Sequence, residues 1–154
     1  MPNSLFTVKV VPPEQMRYAS CDDYTEQPDG SVLFTIADTG SLRSNLLVLV
    51  HALVEYALVE KAKIPLSLVD AWDMTRPDDD DTEPGDDPQS PYHKQHMLAS
   101  AFERIVSDGL REDWFEHEAR IDAAVEKAAQ AQKEKADVQA IRPDPPEVLP
   151  KPGD

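Results

Sequence analysis

The chain has little of several things that mark common classes of protein. It holds a single cysteine, Cys21, which excludes an intramolecular disulfide and a cysteine-based zinc cluster. Its 15 basic residues face 30 acidic ones, giving a formal charge of −15 that opposes binding to the phosphates of a nucleic acid. We therefore expect a protein of a reducing compartment that does not bind nucleic acid directly.

Long apolar runs are also missing. No run approaches the roughly 20 apolar residues that a membrane span requires, and the N-terminus lacks the charged and apolar regions of a signal peptide. These absences predict no membrane association and no secretion. The length of 154 residues suits a single α+β domain over residues 1–137, followed by a proline-rich tail at 138–154.

The pattern of the chain predicts a small sheet followed by helices. Segments 5–12 and 31–38 alternate and are rich in β-branched residues, and 15–24 is a further short strand or an irregular edge, so we expect an antiparallel sheet of two or three strands. Three long helices are predicted: the first at 42–61, with Ser41 or Thr39 as N-cap, the second at 91–108 and the third at 113–137. A short further turn of helix is expected at 66–74.

The predicted helices differ in how their apolar residues are arranged. The first is apolar nearly all round, which is typical of a buried central helix. The second has two stripes. Its apolar stripe, predicted to face the core, consists of Leu98, Ala101, Phe102 and Ile105. Its polar stripe, predicted to face away from the core, consists of His93, His96, Ser100 and Glu103. His117 on the third helix is predicted to be exposed.

Acidic residues are concentrated before the second predicted helix. Nine carboxylates lie between Asp70 and Asp87, against Arg76 alone. Segment 75–90 has no apolar period and does not fit the ligand spacing of a calcium loop of the EF-hand type, so we expect a solvated loop. The tail has five prolines, and we expect it and the end of the third helix to contact another chain.

His51 and Glu55 are the polar residues that stand out in the first helix. Residues four apart lie on the same helix face, so both side chains can reach one point in space. If this face met the second helix, His51 and Glu55 would join His93 or His96 in a three-ligand site of the kind that zinc and other divalent metals use. An internal His–Glu hydrogen bond without a metal is the alternative.

Three stretches carry a resemblance to a known group: LLVLVHALVEYALVEKAKI, VDAWDM and EPGDDPQSPYHKQHMLASAFERI. They resemble small uncharacterised phage and prophage proteins with a zincin-like core, in which a helix reads H-E-L-V-E and is followed by D-x-x-D-like and P-G-D…P-Y-H-x-x-H segments. The resemblance implies His51 and Glu55 as metal ligands on the helix and His93 and His96 as a second ligand cluster. It implies zinc as the cofactor.

The sequence departs from the zincin pattern at Ala52, which stands in place of a glutamate. In zincins that glutamate is the general base that takes a proton from water on the metal, and its loss costs about 10²–10⁴ in rate. Glu103, Asp70 or Asp73 would have to replace it.

Three functions are compatible with these features. The first is a degenerate, non-catalytic zincin-like domain that acts by protein–protein interaction or self-assembly. Its expected partners include phage structural proteins, and its expected location is the host cytoplasm or the virion. The second is a metal-dependent hydrolase with an unrecognised general base. The third is an acidic DNA mimic that inhibits a host defence protein, although the carboxylates cluster in one loop instead of following a phosphate-like path.

Overall fold

A computed structural model describes residues 5–75 and 83–141 and has an α+β fold. The sheet consists of β1 (Phe6–Val11), β2 (Asp22–Glu26) and β3 (Val32–Ala37). The helices are α1 (Leu42–Ala62), α2 (Leu66–Met74), α3 (His93–Leu110) and α4 (Trp114–Ile141), with 3₁₀ turns at Pro13–Gln15 and Pro84–Asp86. The predicted α+β class is confirmed.

The sheet is mixed, so the prediction of an antiparallel sheet is wrong for one of its two strand pairs. The strand order is β1-β3-β2, with β2 antiparallel to β3 and β1 parallel to β3. A turn with Gly30 at φ 80° connects β2 to β3. The chain from Pro12 to Cys21 crosses over before β2 begins, which leaves room for β3 between the two earlier strands and makes it run parallel to β1.

α1 begins and ends close to the predicted residues. The side chain of Ser41 accepts a hydrogen bond from the backbone N–H of Ser44, and Lys63 ends the helix in the left-handed conformation at φ 57°. One side of α1 packs against the sheet, where Ala52 joins the core around Phe34.

The opposite side of α1 is more exposed to solvent than the predicted buried central helix would be. Leu42 and Leu46 are 75% and 45% exposed. By length and composition alone α1 would also suffice to cross a membrane, contrary to the expectation from the apolar runs. In the fold it contacts the sheet and α3 and carries His51 and Glu55 on a buried face.

α3 is amphipathic in the opposite sense to the prediction. Its buried residues are His96, Ala99, Glu103 and Ser107. Leu98, Phe102 and Ile105, predicted to face the core, are 51%, 51% and 66% exposed. The physical reason lies in α1, because a helix face that carries His51 and Glu55 requires polar partners across the contact.

Several predicted boundaries shift for local reasons. α3 begins at His93 instead of residue 91, and the carbonyl of Ser90 accepts a hydrogen bond from the His93 N–H. α4 runs to Ile141, beyond the predicted 137, since the first proline of the tail is Pro143. In the described part of the predicted solvated loop, Gly85 and Ser90 are buried, whereas Glu83, Asp86, Pro88 and Gln89 are exposed, so this part packs against the fold at two positions and is otherwise largely solvated.

Two predicted regions lie wholly or partly outside the described residues. They are the acidic segment at 76–82 and the tail at 142–154, on which the predicted contact of the tail depends.

Asp73, at the end of α2, provides a test of how these elements pack. Its carboxylate accepts hydrogen bonds from the hydroxyls of Tyr92 and Tyr18, yet burial outweighs these bonds and raises its pKa to about 6. A folded-state pKa above the unfolded value of 3.8 means that ionisation disfavours the fold, so this contribution to stability falls as pH rises from about 4 to about 6.

We therefore expect Asp73→Asn to raise the free energy of unfolding by about 1–2 kcal/mol above pH 7 and to change it little near pH 4. Urea titrations at the two pH values measure this difference. A lower stability of the variant above pH 7 would show that the charged form of Asp73 is the favourable one.

Candidate metal centre

Three side-chain atoms converge between α1 and α3. His51 Nε2 lies 3.3 Å from Glu55 Oε2 and 3.2 Å from His96 Nδ1, and the latter two atoms are 2.9 Å apart. The three residues are between 4% and 7% exposed. Ligands at roughly 2.0–2.1 Å from a tetrahedral zinc ion lie about 3.3 Å from each other, so this spacing matches one face of such a site.

Each of these residues also has a contact on its outer side. His51 Nδ1 is 3.0 Å from a carboxylate oxygen of Glu103, and Glu55 Oε1 accepts a 2.8 Å hydrogen bond from the Tyr24 hydroxyl. His96 Nε2 lies 3.3 and 3.2 Å from oxygens of Glu83 and Asp86.

The contact of His96 differs from the other two. Its Nε2 is buried and forms no well-aligned hydrogen bond with either carboxylate. With the facing Nδ1 as ligand, Nε2 would carry the proton and point toward these acids, which is the arrangement by which carboxylates orient metal-bound histidines. Glu83 and Asp86 with His96 Nε2 also form a second group that can hold a cation, of which only His96 is buried.

His117 belongs to the same network, and the prediction that it is exposed is wrong. It is fully buried, and its Nε2 lies 2.8 Å from the second carboxylate oxygen of Glu103. The sequence held a signal for this position. His117 continues the four-and-three spacing of Ile121, Ala124 and Ala128, which pack toward the core, so it lies on the inner face of α4.

His93, predicted as an alternative ligand, is not brought to the three converging atoms. Its Nδ1 lies 2.8 Å from the carbonyl oxygen of Gly85, while the Trp72 indole donates a 3.0 Å hydrogen bond to the carbonyl of Pro84. A Cβ at Gly85 would lie 2.2 Å from the His96 ring, so only glycine permits this approach. His93 therefore holds the Pro84–Asp86 turn against His96.

The cluster also shifts the pKa values of its members. Burial lowers the pKa of His51 and of His96, but the hydrogen bonds that these rings donate to carboxylates outweigh it. The pKa of His51 is therefore raised well above its usual value, and that of His96 is raised to about 10. Burial acts to raise the pKa of Glu55, yet the two histidines bring it down to about 2. Without a metal, the neighbouring carboxylates favour the protonated form of each imidazole, whereas the 3.2 Å approach of His51 Nε2 and His96 Nδ1 opposes a proton on both atoms at once.

A small cavity adjoins His51. Its volume is about 20 Å³, and its lining residues are Cys21, Asp22, Val48, His51, Glu83, Glu103 and Ile121. This volume admits about one water molecule. Burial raises the pKa of Asp22 to about 7. Asp22 and Tyr24 were not recognised from the sequence, although alternate residues of one strand share a face.

Ala52, the departure from the zincin pattern, lies next to His51 in sequence but packs with Phe34, Ile36 and Val48 in the core beside the sheet. It is 0% exposed. Position 52 is therefore a packing position in this fold.

The residues considered as substitutes for the missing base already have partners. Both oxygens of Glu103 contact histidines, Asp70 accepts from Arg17, and Asp73 accepts from Tyr92.

Comparisons of the chain with protein-family models, with curated proteins and with solved structures find no match. The resemblance to phage proteins with a zincin-like core stays a prediction. The geometry itself establishes that buried histidine and glutamate side chains meet in a group that can hold a metal ion.

Proposed function

We propose that the domain binds one divalent transition metal ion, zinc in the first instance, through His51, Glu55 and His96. The observation that carries the proposal is the convergence of their three ligand atoms within 3.3 Å of each other, with an outer contact at each residue. Two imidazoles and a carboxylate are a ligand set that zinc uses. The 3.2 Å approach of the two imidazole nitrogens also favours a shared cation, since both rings cannot carry protons there without mutual repulsion.

The role that we propose for the metal is structural. The ligands join α1 to α3, Tyr24 extends the network to the sheet, and Glu103 extends it to α4 through His117. The adjoining cavity of about 20 Å³ has room for a water molecule but not for a peptide. The metal would thus stabilise the fold of a binding domain and would not serve as the catalytic metal of a peptidase.

The biological setting that we propose is that of a phage or prophage protein that acts by binding another protein, as part of a particle or its assembly. The support is the resemblance of the H-A-L-V-E and P-Y-H-K-Q-H segments, together with the exposed apolar residues of α1 and α3.

A metal-dependent hydrolase is the second candidate, and the observation that favours it is Asp22. This carboxyl group lines the cavity beside His51, and burial raises its pKa to about 7, close to the value that suits a general base. Hydrolysis would require a substrate that reaches this cavity. Any such activity would be lost in Asp22→Asn, whereas the metal would still bind.

Metal titration of untagged protein tests the proposed ligands. We expect one zinc equivalent, with affinity reduced at least about 100-fold in His51→Ala and in His96→Ala, because each change removes a ligand. His93→Gln is the matched control, since His93 lies on α3 with His96 but contacts the Gly85 carbonyl instead of the ligand atoms, and a glutamine amide can still donate to that carbonyl. Binding to His51→Ala that is as tight as to the natural protein would refute the site.

Activity measurements address the catalytic question. We expect no cleavage of generic peptide or casein substrates with or without added zinc, because position 52 provides no general base and the cavity excludes a peptide. Fluorescent-peptide turnover measures this. Zinc-dependent cleavage that disappears in both His51→Ala and Asp22→Asn would instead establish the hydrolase.

A further inference from the structure

One side of the α1–α3 pair is apolar and has no covering element among the residues that the structure describes. We call it the open face; its members are Leu46, Val50, Val54 and Ala57 on α1 and Leu98, Phe102 and Ile105 on α3. Leu46, Leu98 and Phe102 are 45%, 51% and 51% exposed, and Ile105 is 66% exposed. Val50 and Val54 are half-buried, and Ala57 is exposed.

The position of the open face follows from the contacts that the opposite sides of α1 and α3 make with the sheet and with α4. Val48 and Ala52 of α1 pack on the sheet, and Arg104 of α3 stacks on Trp114 at the start of α4. Around each helix axis, Val50 on α1 and Phe102 on α3 lie away from these contacts. Because the two helices run antiparallel, the two stripes lie side by side.

The antiparallel arrangement is visible in the site itself. Glu55, late in α1, meets His96, early in α3, whereas His51 meets Glu103 one to two turns further along. The open face therefore continues across both helices as one surface two helices wide.

The size of the open face fits a pair of identical chains. Helices of 21 and 18 residues are about 31 and 27 Å long, and two of them side by side present roughly 500 Å². Pairing two such faces would bury about 1,000 Å² in total, which is the lower bound of a specific interface. A single helix stripe would fall short of it.

The charge of the open face fits the same partner. Two chains that each carry −15 repel each other wherever carboxylates meet. Between Arg43 and Glu60, α1 has only one ionisable carboxylate, Glu55, and that group is buried against the histidines. The open face is thus a surface through which two of these acidic chains can approach without facing carboxylates.

We propose that the open face binds the open face of a second copy, so that α1 and α3 of both chains form a four-helix arrangement about a two-fold axis. The contact would explain why α1 is apolar on nearly all sides and why α3 exposes its apolar stripe. This proposal is independent of the metal, since none of the three proposed ligands belongs to the open face.

Light scattering coupled to size exclusion tests the proposal on the full chain. We expect a mass twice the 17.2 kDa of one chain, and a dissociation constant raised about 100-fold or more in Phe102→Glu, which places two charges in the interface. Phe115→Glu is the matched control, because Phe115 is 78% exposed but lies on α4 outside the open face. Ile105→Glu provides a second variant if Phe102→Glu does not fold.

Each other outcome contradicts the proposal. If the protein is a monomer over a wide range of concentration, it does not self-associate. If it is a dimer that neither substitution on the open face weakens, the contact between the chains lies elsewhere. A monomer that binds anionic lipid vesicles through Phe102 would assign the open face to a membrane instead. Circular dichroism of every variant verifies the fold.

Discussion

Replacing Glu103 with alanine is expected to lower the free energy of unfolding of the metal-free protein by about 3–5 kcal/mol. The carboxylate is 6% exposed and lies 3.0 Å from His51 Nδ1 and 2.8 Å from His117 Nε2. Its removal leaves two buried imidazoles without their acceptor and a cavity between α3, α1 and α4. Breaking one partner of a buried charged network is costly because the remaining groups keep their desolvation penalty. Urea unfolding measures the loss.

Two comparisons separate this effect from a general sensitivity to mutation. Glu103→Gln keeps the volume and one acceptor oxygen, so its cost should be smaller than that of alanine. Glu116→Ala removes a carboxylate that pairs with Arg120 at the surface, with 68% side-chain exposure, and should cost less than about 1 kcal/mol. If Glu103→Ala and Glu116→Ala were equally mild, Glu103 would not be the link between His51 and His117.

The same variant tests the outer contact of the proposed metal ligand. The Nδ1 of His51 needs an acceptor whether or not Nε2 binds a metal, so Glu103→Ala should also weaken zinc binding by about 10–100-fold. The ligand atoms themselves remain, which makes this loss smaller than that in His51→Ala.

The elements of the fold that were predictable are those fixed by local interactions. Ser41 caps α1 through its own side chain, and the apolar run from Leu46 to Val59 has no strand-like alternation, so the helix could be placed almost to the residue. His51 and Glu55 share a helix face by geometry alone. Their meeting with His96 could be anticipated because buried polar groups require polar partners.

The orientation of α3 was not predictable from its own residues. Its stripe of Leu98, Phe102 and Ile105 has the spacing of a core-facing surface, and hydrophobic burial ordinarily decides which side turns inward. Here the partner surface on α1 is polar, and the cost of leaving His51 and Glu55 without partners outweighs the burial of three apolar side chains. That competition depends on a tertiary contact, which helical periodicity does not contain.

The parallel pairing of β1 with β3 was hidden for a similar reason. Most residues between β1 and β2 belong to segment 15–24, which was predicted as a short strand or an irregular edge, and neither prediction shows where the chain crosses the sheet. The roles of Asp22 and Tyr24 were not predictable either. β2 spans Asp22–Glu26, so it begins near the end of the segment 15–24 that was predicted as a strand or irregular edge. Once β2 lies beside β3, alternate residues of β2 face α1, and two of them reach the site.

Zinc is expected to change how the stability of the protein depends on pH. In the metal-free protein, His96 has its pKa raised from 6.5 to about 10, so its stabilising contribution is complete below about 6.5 and is lost as pH rises toward 10. Glu55 has its pKa lowered from 4.5 to about 2, so its contribution is present above about 4.5 and is lost only in acid. Asp22, whose pKa burial raises to about 7, acts in the same direction as His96.

Metal binding acts in the opposite direction, because zinc takes the lone pairs of His51 and His96 in competition with protons, and its affinity therefore rises with pH. We expect the free energy of unfolding without metal to fall by about 2–3 kcal/mol between about pH 6 and about pH 9. The increment produced by equimolar zinc should grow over the same interval. Urea titrations at several pH values, with and without zinc, measure both quantities.

His51→Ala and His93→Gln distinguish the zinc effect from a general response to pH. The first should show no zinc increment at any pH, because it lacks a proposed ligand, whereas the second should behave like the natural protein. A zinc increment that is constant with pH would mean that the metal binds through carboxylates alone, at the exposed Glu83 and Asp86, and that the histidines form only an ion-pair network with Glu55 and Glu103. An increment that grows with pH in His93→Gln and is absent in His51→Ala would locate the metal at the three converging atoms.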